Sequence, residues 1–206
     1  MHAEFLLLIL SSPSGAGKTT LTRRLLERFP DLRFSVSHTT RPPRAGEVSG
    51  KDYHFVDRDT FHAMVQNDDF VEWAEVHGNL YGTARSEIER AQRDDRCQGM
   101  IFDIDYQGAR QIRATVPEVI GVFILPPSMD ELLRRLRGRA SETEETLSRR
   151  FSVAKREIEH YALFDYVVVN DELERAFDNL AGVVLAERSK RVRRAALAES
   201  LLRAQS

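Results

Sequence analysis

Cysteine is nearly absent from this chain of 206 residues: Cys97 stands alone, which excludes an internal disulfide and predicts a reducing compartment. Its neighbours Asp94, Asp95 and Arg96 predict an exposed turn, and no role is assigned to it. Lysine is almost as scarce, with Lys18, Lys51, Lys155 and Lys190 the only four among 30 basic residues. Genome composition can produce such a skew, so each arginine is read by position alone. Neither charge sign dominates: the formal net charge of −2 gives no bulk attraction to nucleic acid or to an anionic membrane. No apolar run is long enough to cross a bilayer. Phe5–Leu10 is too short for a secretory leader and lacks a preceding basic stretch, so none is expected and cytoplasmic residence is the default. Internal repeats are missing. What is present is 42% hydrophobic and 30% charged, the balance of a globular domain with room for one good core and small insertions.

Apolar runs that read as buried strands recur at Phe5–Leu10, Met100–Ile104, Val119–Leu125 and Tyr166–Val169. Helical patterns lie between or beyond them at Thr19–Phe29, Arg85–Arg93, Gly108–Thr115, Met129–Arg137 and Thr143–Tyr161. This alternation predicts an α/β fold, a parallel sheet with helices on both faces. Two stretches interrupt the rhythm. Between Arg33 and Gly82 shorter strand-like runs, Phe34–Ser37, Tyr53–Val56 and Phe70–Val76, predict a small mixed-sheet insert. Around Gly138–Leu147 a weakened helix end meets a fresh acidic N-terminus, as in a mobile lid or a plain helix–helix connection. A last helix is expected from about Glu172 to Ala204, its basic end either solvated or an interaction surface.

The segment Ser12-Pro13-Ser14-Gly15-Ala16-Gly17-Lys18-Thr19 joins the first apolar run to a helix and has the form of a phosphate-binding P-loop. Gly15 and Gly17 allow positive φ and turn backbone N–H groups toward an anion. Lys18 supplies a charge for β- and γ-phosphates, and the Thr19 hydroxyl is a Mg²⁺ ligand type. Ser12 stands where the usual motif has glycine, while the Gly-x-Gly-Lys-Thr half is intact. A strand–turn–helix connection alone needs neither the lysine nor the hydroxyl.

Four further groups carry candidate chemistry. Arg41 and Arg44, stiffened by Pro42-Pro43, make a double fork suited to a phosphate, to which Tyr53 and Tyr81 can add phenolic donors; a charged surface loop is the alternative. Glu72 lies in Phe70-Val71-Glu72-Trp73-Ala74 and can take the adjacent N1–H and N2–H donors of guanine, which adenine does not offer; strand alternation can equally place it in water. Asp103 and Asp105 end an apolar strand, two apart and hence on one side, the first near Mg²⁺ and the second toward an acceptor pocket; capping of the next helix competes with that reading. Arg135, Arg139 and Arg150 bracket the lid, where equatorial oxygens of a transferring phosphoryl need cations.

In order and spacing these motifs resemble the guanylate kinases. The resemblance is carried by Ser14-Gly15-Ala16-Gly17-Lys18, Ser37 to Arg44 with Ala45-Gly46-Glu47 and Gly50-Lys51-Asp52-Tyr53, and Phe102-Asp103-Ile104-Asp105-Tyr106-Gln107-Gly108. Pro126-Pro127-Ser128, Arg139 to Glu145 and Val169-Asn170-Asp171 add to it, so that it spans about Phe5 to Arg188. It implies ATP:GMP phosphotransfer, with dGMP as a further acceptor, within one domain with a core (about 1–36 and 83–206), a GMP-binding insert (about 37–82) and a lid (about 138–150). It implies ATP at Ser14, Gly15, Ala16, Gly17, Lys18, Thr19 and Thr20, with Asn170 beside adenine. GMP phosphate falls to Arg41, Arg44, Tyr53 and Tyr81, and guanine to Ser37, Glu72, Thr83 and Asp105. The transferred phosphoryl falls to Lys18, Arg44, Arg135, Arg139 and Arg150, and Mg²⁺ to Thr19 and Asp103, the latter directly or through water. Partners are then small molecules, with neither nucleic acid nor membrane, and a homo-oligomer is left open. Two rivals stay in view: a non-catalytic binding module, against which the intact Gly17-Lys18-Thr19 speaks, and a kinase for another phosphorylated acceptor.

Overall fold

A computed structural model describes residues 5–76, 78–138 and 144–204. Its main sheet consists of β1 (Leu6–Ser11), β2 (Leu32–Phe34), β7 (Gly99–Asp103), β8 (Ile120–Leu125) and β9 (Tyr166–Val169), in the order β2-β7-β1-β8-β9. All pairings are parallel. Every residue of β1 is buried, as befits a central strand covered on both faces. Its side chains alternate between two cores. Leu6, Leu8 and Leu10 pack with Leu21 and Leu25 of α1 (Lys18–Arg28) and with Leu180 and Val184 of α7 (Leu173–Ser189). Leu7 and Ile9 face the other way, toward Ile88 of α3 (Arg85–Gln92) and Ile112 of α4 (Tyr106–Thr115).

Register aligns the strand ends. Leu10 pairs with Asp103, Ser11 with Phe123 and Leu125 with Val169, so the P-loop, Asp103 and Asn170 emerge at one edge of the sheet. β1 lies between β7 on one side and β8 on the other, the next strand in sequence, β2, being added beyond β7 and the later strands β8 and β9 on the opposite side. The crevice outside such a switch point is where open α/β sheets bind ligands.

A second, four-stranded sheet, ordered β4-β3-β6-β5, comprises β3 (His38–Thr39), β4 (His54–Phe55), β5 (Phe70–Val76) and β6 (Asn79–Ala84). Phe61 of α2 (Arg58–Gln66) fills its own small core with Phe70, Leu80 and Ala84. Gln111 of α4 ties this sheet to the main one, accepting from Trp73 N at 3.1 Å and donating to Trp73 O at 2.7 Å. On the far side, α5 (Met129–Arg137) and α6 (Glu144–Ile158) pack through Leu132, Leu136, Leu147 and Ala154.

Several local expectations change. The strand expected at Phe34–Ser37 divides: Leu32–Phe34 joins the main sheet and His38–Thr39 the second, because both sheets take hydrogen bonds from one extended stretch. Helix α2 and strand β6 have no counterpart in the pattern reading, although Asp57 caps α2 by accepting from Thr60 N at 2.7 Å. The last helix is broken at Lys190 (ψ 137°), and α8 (Arg191–Arg203) starts afresh. No proline or glycine marks the break. The turn lets buried Arg193 donate to Phe5 O at 2.9 Å, a tertiary bond that a continuous helix would have to reach differently. Cys97 is buried rather than exposed, its thiol donating to Gly99 O at 3.3 Å.

Candidate active site

The P-loop turn depends on Gly15 and Gly17, with φ of +94° and +97°. Gly17 is doubly constrained, because a Cβ there would overlap Asn170 Nδ2. That amide, buried at the end of β9, donates to Ala16 O at 2.7 Å. Arg135 adds two bonds on the same face, from Nη1 to Ala16 O (3.3 Å) and from Nη2 to Asn170 O (2.8 Å), while Nε holds Glu131 at 2.7 Å. The loop is therefore braced from the end of β9 and from α5. Lys18 forms an ion pair with Asp103 across the β1–β7 strand ends. The cavity above the loop, about 250 Å³, is lined by Ser12 to Gly15, Gly17 to Thr20, Asp105 and Glu157.

A second cavity of about 290 Å³ opens between the two sheets, lined by Ser37, Arg41, Arg44, Glu47, Tyr53, Glu72 and Tyr81 together with Lys18, Asp103 and Asp105. Arg41 is not an open fork: its Nη2 grips Glu47 at 2.8 and 3.0 Å, and Glu47 also accepts Arg44 N at 2.7 Å. This pairing raises the Arg41 pKa and lowers that of Glu47, with their mutual hydrogen bond the leading cause in both. Tyr53 and Tyr81 stand edge to face at 6.0 Å beside it.

Glu72 is only 4% exposed, which settles the strand alternation in favour of the interior. It accepts from the hydroxyl of fully buried Thr83 at 2.7 Å. Burial pushes its carboxyl up to about 7; the charge of Asp105 adds to this and the hydrogen bonds from Thr83 oppose it. Gly108 makes the arrangement possible, since a Cβ there would sit 2.5 Å from Glu72 Oε2. Asp105 does not continue β7, which ends at Asp103, so strand alternation does not set its direction, although both acids line the second cavity. Asp105 instead caps α4, accepting Gln107 N at 2.9 Å and Gly108 N at 3.0 Å, and still borders both cavities.

The metal question turns on donor chemistry. Among the described residues no group of three or more His, Cys, Asp or Glu side chains could hold a metal ion. An all-protein cage is thus not what the site offers. The exposed Thr19 hydroxyl and the Asp103 carboxylate are hard oxygen donors at the phosphate end, and they fit Mg²⁺, which keeps most of its waters and takes further ligands from phosphates.

Of the residues singled out from sequence, the structure lines one cavity with Ser14, Gly15 and Gly17 to Thr20, sets Ala16, Asn170 and Arg135 behind that loop, and gathers Ser37, Arg41, Arg44, Tyr53, Glu72, Tyr81, Thr83 and Asp105 at or behind the other. Arg150 reaches the P-loop, donating to Ser14 Oγ at 2.8 Å. Arg139 lies outside the described residues. Sequence reasoning missed the roles of Glu47 and Glu157. Glu47 had a signal, its place in the arginine loop; Glu157 had none, being one of many glutamates on helical faces.

A strand–P-loop–helix unit at the switch point of a parallel sheet, with a second cavity meeting it at Lys18, defines a P-loop NTPase fold of nucleotide-handling type. The family model described as guanylate kinase matches residues 5–187, and the chain belongs to the guanylate kinase family. It is 50% identical over 195 residues to the guanylate kinase of Geobacter sulfurreducens, covering 94% of each chain. It is 52% identical over 189 residues to that of Myxococcus xanthus, covering 91% of this chain and 90% of the relative. The crystal structure of guanylate kinase from Anaplasma phagocytophilum superposes with a TM-score of 0.75 at 37% identity, covering 93% of this chain and 90% of the other.

Proposed function

We propose that this enzyme transfers the γ-phosphoryl of ATP to GMP, giving ADP and GDP in purine nucleotide metabolism and GMP recycling, through the two cavities described above. The observation that carries this reading is that both cavities share Lys18 and Asp105. Two substrates seated in them would meet at the lysine, where a phosphoryl group has the shortest path between them. ATP phosphates lie on Ser14 to Thr20, with Asn170 toward the adenine. The GMP phosphate lies among Arg41, Arg44, Tyr53 and Tyr81, and guanine among Ser37, Glu72, Thr83 and Asp105. We assign residues 37–82 to a GMP-binding insert and 138–150 to a lid on a core of 1–36 and 83–206. The cytoplasm, where both nucleotides occur, is the compartment this implies, and dGMP is the expected second acceptor.

An oxygen of the GMP phosphate attacks the γ-phosphorus as the bond to the β–γ bridging oxygen breaks. The acceptor oxygen is ionised near neutral pH, so no strong general base is required. Lys18, paired with Asp103, serves the β- and γ-oxygens, and Arg44, Arg135 and Arg150 neutralise charge around the transferred group. Thr19 and Asp103 would hold Mg²⁺, which supplies charge neutralisation at the phosphates. Exclusion of water limits hydrolysis of ATP.

A ribose phosphate acceptor would leave the buried Glu72–Thr83 pair with no base to read, and a binding module would not turn over at all. ADP release measured over GMP, dGMP, AMP and ribose phosphates separates these readings. GMP is expected to be the best acceptor, and Lys18→Ala to abolish turnover. Near-normal activity of that variant would refute the P-loop assignment.

A further inference from the structure

Glu157 is a half-buried acid for which the phosphoryl-transfer reading has no use. It lies on α6 seven residues after Arg150, so both side chains leave one face of the helix two turns apart. Both end on the same residue of the P-loop. Ser14 N donates to Glu157 Oε2 at 3.2 Å, and Arg150 Nη2 donates to Ser14 Oγ at 2.8 Å.

Packing alone does not require this acid. The seam between α5 and α6 is apolar, built from Leu132, Leu136, Leu147 and Ala154 with Phe151 beside it. Such contacts attach a helix firmly but are non-directional, so they fix its position along the seam weakly. A hydrogen bond has a preferred distance and angle and supplies what the seam lacks. The far end of the helix is also marked: just after α6 the ring of His160 stacks on Tyr106 at 3.7 Å, and Tyr106 follows Asp105. Burial of this carboxylate carries a desolvation cost, which the Ser14 N–H and the charge of Lys18 offset and the charge of Asp105 adds to.

We propose that Glu157 is a positioning residue: by accepting the Ser14 N–H it sets the register of α6 on the P-loop and so delivers Arg150 to the transferred phosphoryl group. This inference rests on the assignment of Arg150 to that group. Loss of the contact lets α6 settle along its apolar seam, and misplacement by about 1 Å can cost about 100-fold in rate.

The test is a double-mutant cycle read as kcat and KM for each nucleotide, with thermal midpoints recorded alongside. Glu157→Ala is expected to lower kcat about 10-fold or more while KM for GMP stays within about twofold. Glu157→Gln, which keeps an acceptor for Ser14 N, is expected to recover most of kcat. In an Arg150→Ala background the same Glu157→Ala change should cost less than about twofold, because the group it positions is already gone. Glu157→Asp keeps the charge but draws the acceptor back by one methylene, and it replaces the alanine variant in the cycle if that variant does not fold. A full penalty persisting on the Arg150→Ala background overturns the proposal, as does wild-type kcat in Glu157→Ala. Wild-type kcat in Arg150→Ala alone overturns the assignment of Arg150 itself, and the proposal falls with it.

Discussion

Replacing Glu72 by glutamine should weaken acceptor binding and strengthen the empty fold at the same time. The carboxyl is 4% exposed and its pKa is raised from 4.5 to about 7, chiefly by burial. A shift of that size corresponds to about 3 kcal/mol of folding stability given up once the group ionises. The sign follows from which state holds the proton. Below pH 4.5 both folded and unfolded chains are protonated and nothing is lost. Between 4.5 and about 7 the unfolded chain ionises first, so stability falls as pH rises, and above about 7 the whole amount is gone. Glutamine cannot ionise, so Glu72→Gln should flatten this part of the profile and raise the midpoint at pH 8 by several degrees, about 3 kcal/mol being the upper bound. For guanine the effect is opposite. A carboxylate accepts both N1–H and N2–H in charge-assisted bonds, whereas glutamine turns a donor toward one of them. Loss of kcat/KM for GMP on the order of 10²-fold is expected, with discrimination against AMP reduced and KM for ATP unchanged. Wild-type GMP binding should weaken as pH falls through about 7, and that dependence should vanish in the variant. Scanning calorimetry and ADP release over pH 5–9 read both halves. Unchanged GMP/AMP selectivity would place the guanine reader elsewhere, and a midpoint that drops at pH 8 would refute the burial argument.

Two glycines give sharp companion tests. Gly108→Ala puts a methyl 2.5 Å from Glu72 Oε2 and should displace the carboxylate, raising KM for GMP while leaving ATP affinity intact; equal loss for both nucleotides, measured by calorimetric titration, would count against it. Gly17→Ala combines a φ of +97° with overlap on Asn170 and should cost about 1–3 kcal/mol of stability and most ATP binding, while GMP binding survives; retained ATP affinity in equilibrium dialysis would show that the loop tolerates another path.

Much of the core was legible because its signals are local. The four buried runs became β1, β7, β8 and β9 within a residue or two, and Met129–Arg137 and Tyr166–Val169 carry the bounds their patterns predict. The insert was less legible. Its strands β3 and β4 are two residues each, too short for any period to register, and β6 follows a turn at Gly78 with no long apolar run of its own. The break at Lys190 escaped for a different reason: the bond that accompanies it, from Arg193 to Phe5 O, joins opposite ends of the chain.

By itself the sequence determined the groups whose spacing is fixed by covalent geometry: glycines where φ must be positive, a lysine and threonine at the head of α1, two arginines across a proline pair, and the order in which they occur. Only the tertiary structure decided which of them face one another. It put Glu72 inside and against Thr83, committed Arg41 to Glu47, turned Asp105 from a strand end into a helix cap, and brought Glu157 across 143 positions to Ser14. The reason is physical. A backbone angle or a helical period acts over a few residues, whereas burial, the pKa of an acid and the partner of a hydrogen bond depend on whatever the packed chain brings within a few ångströms.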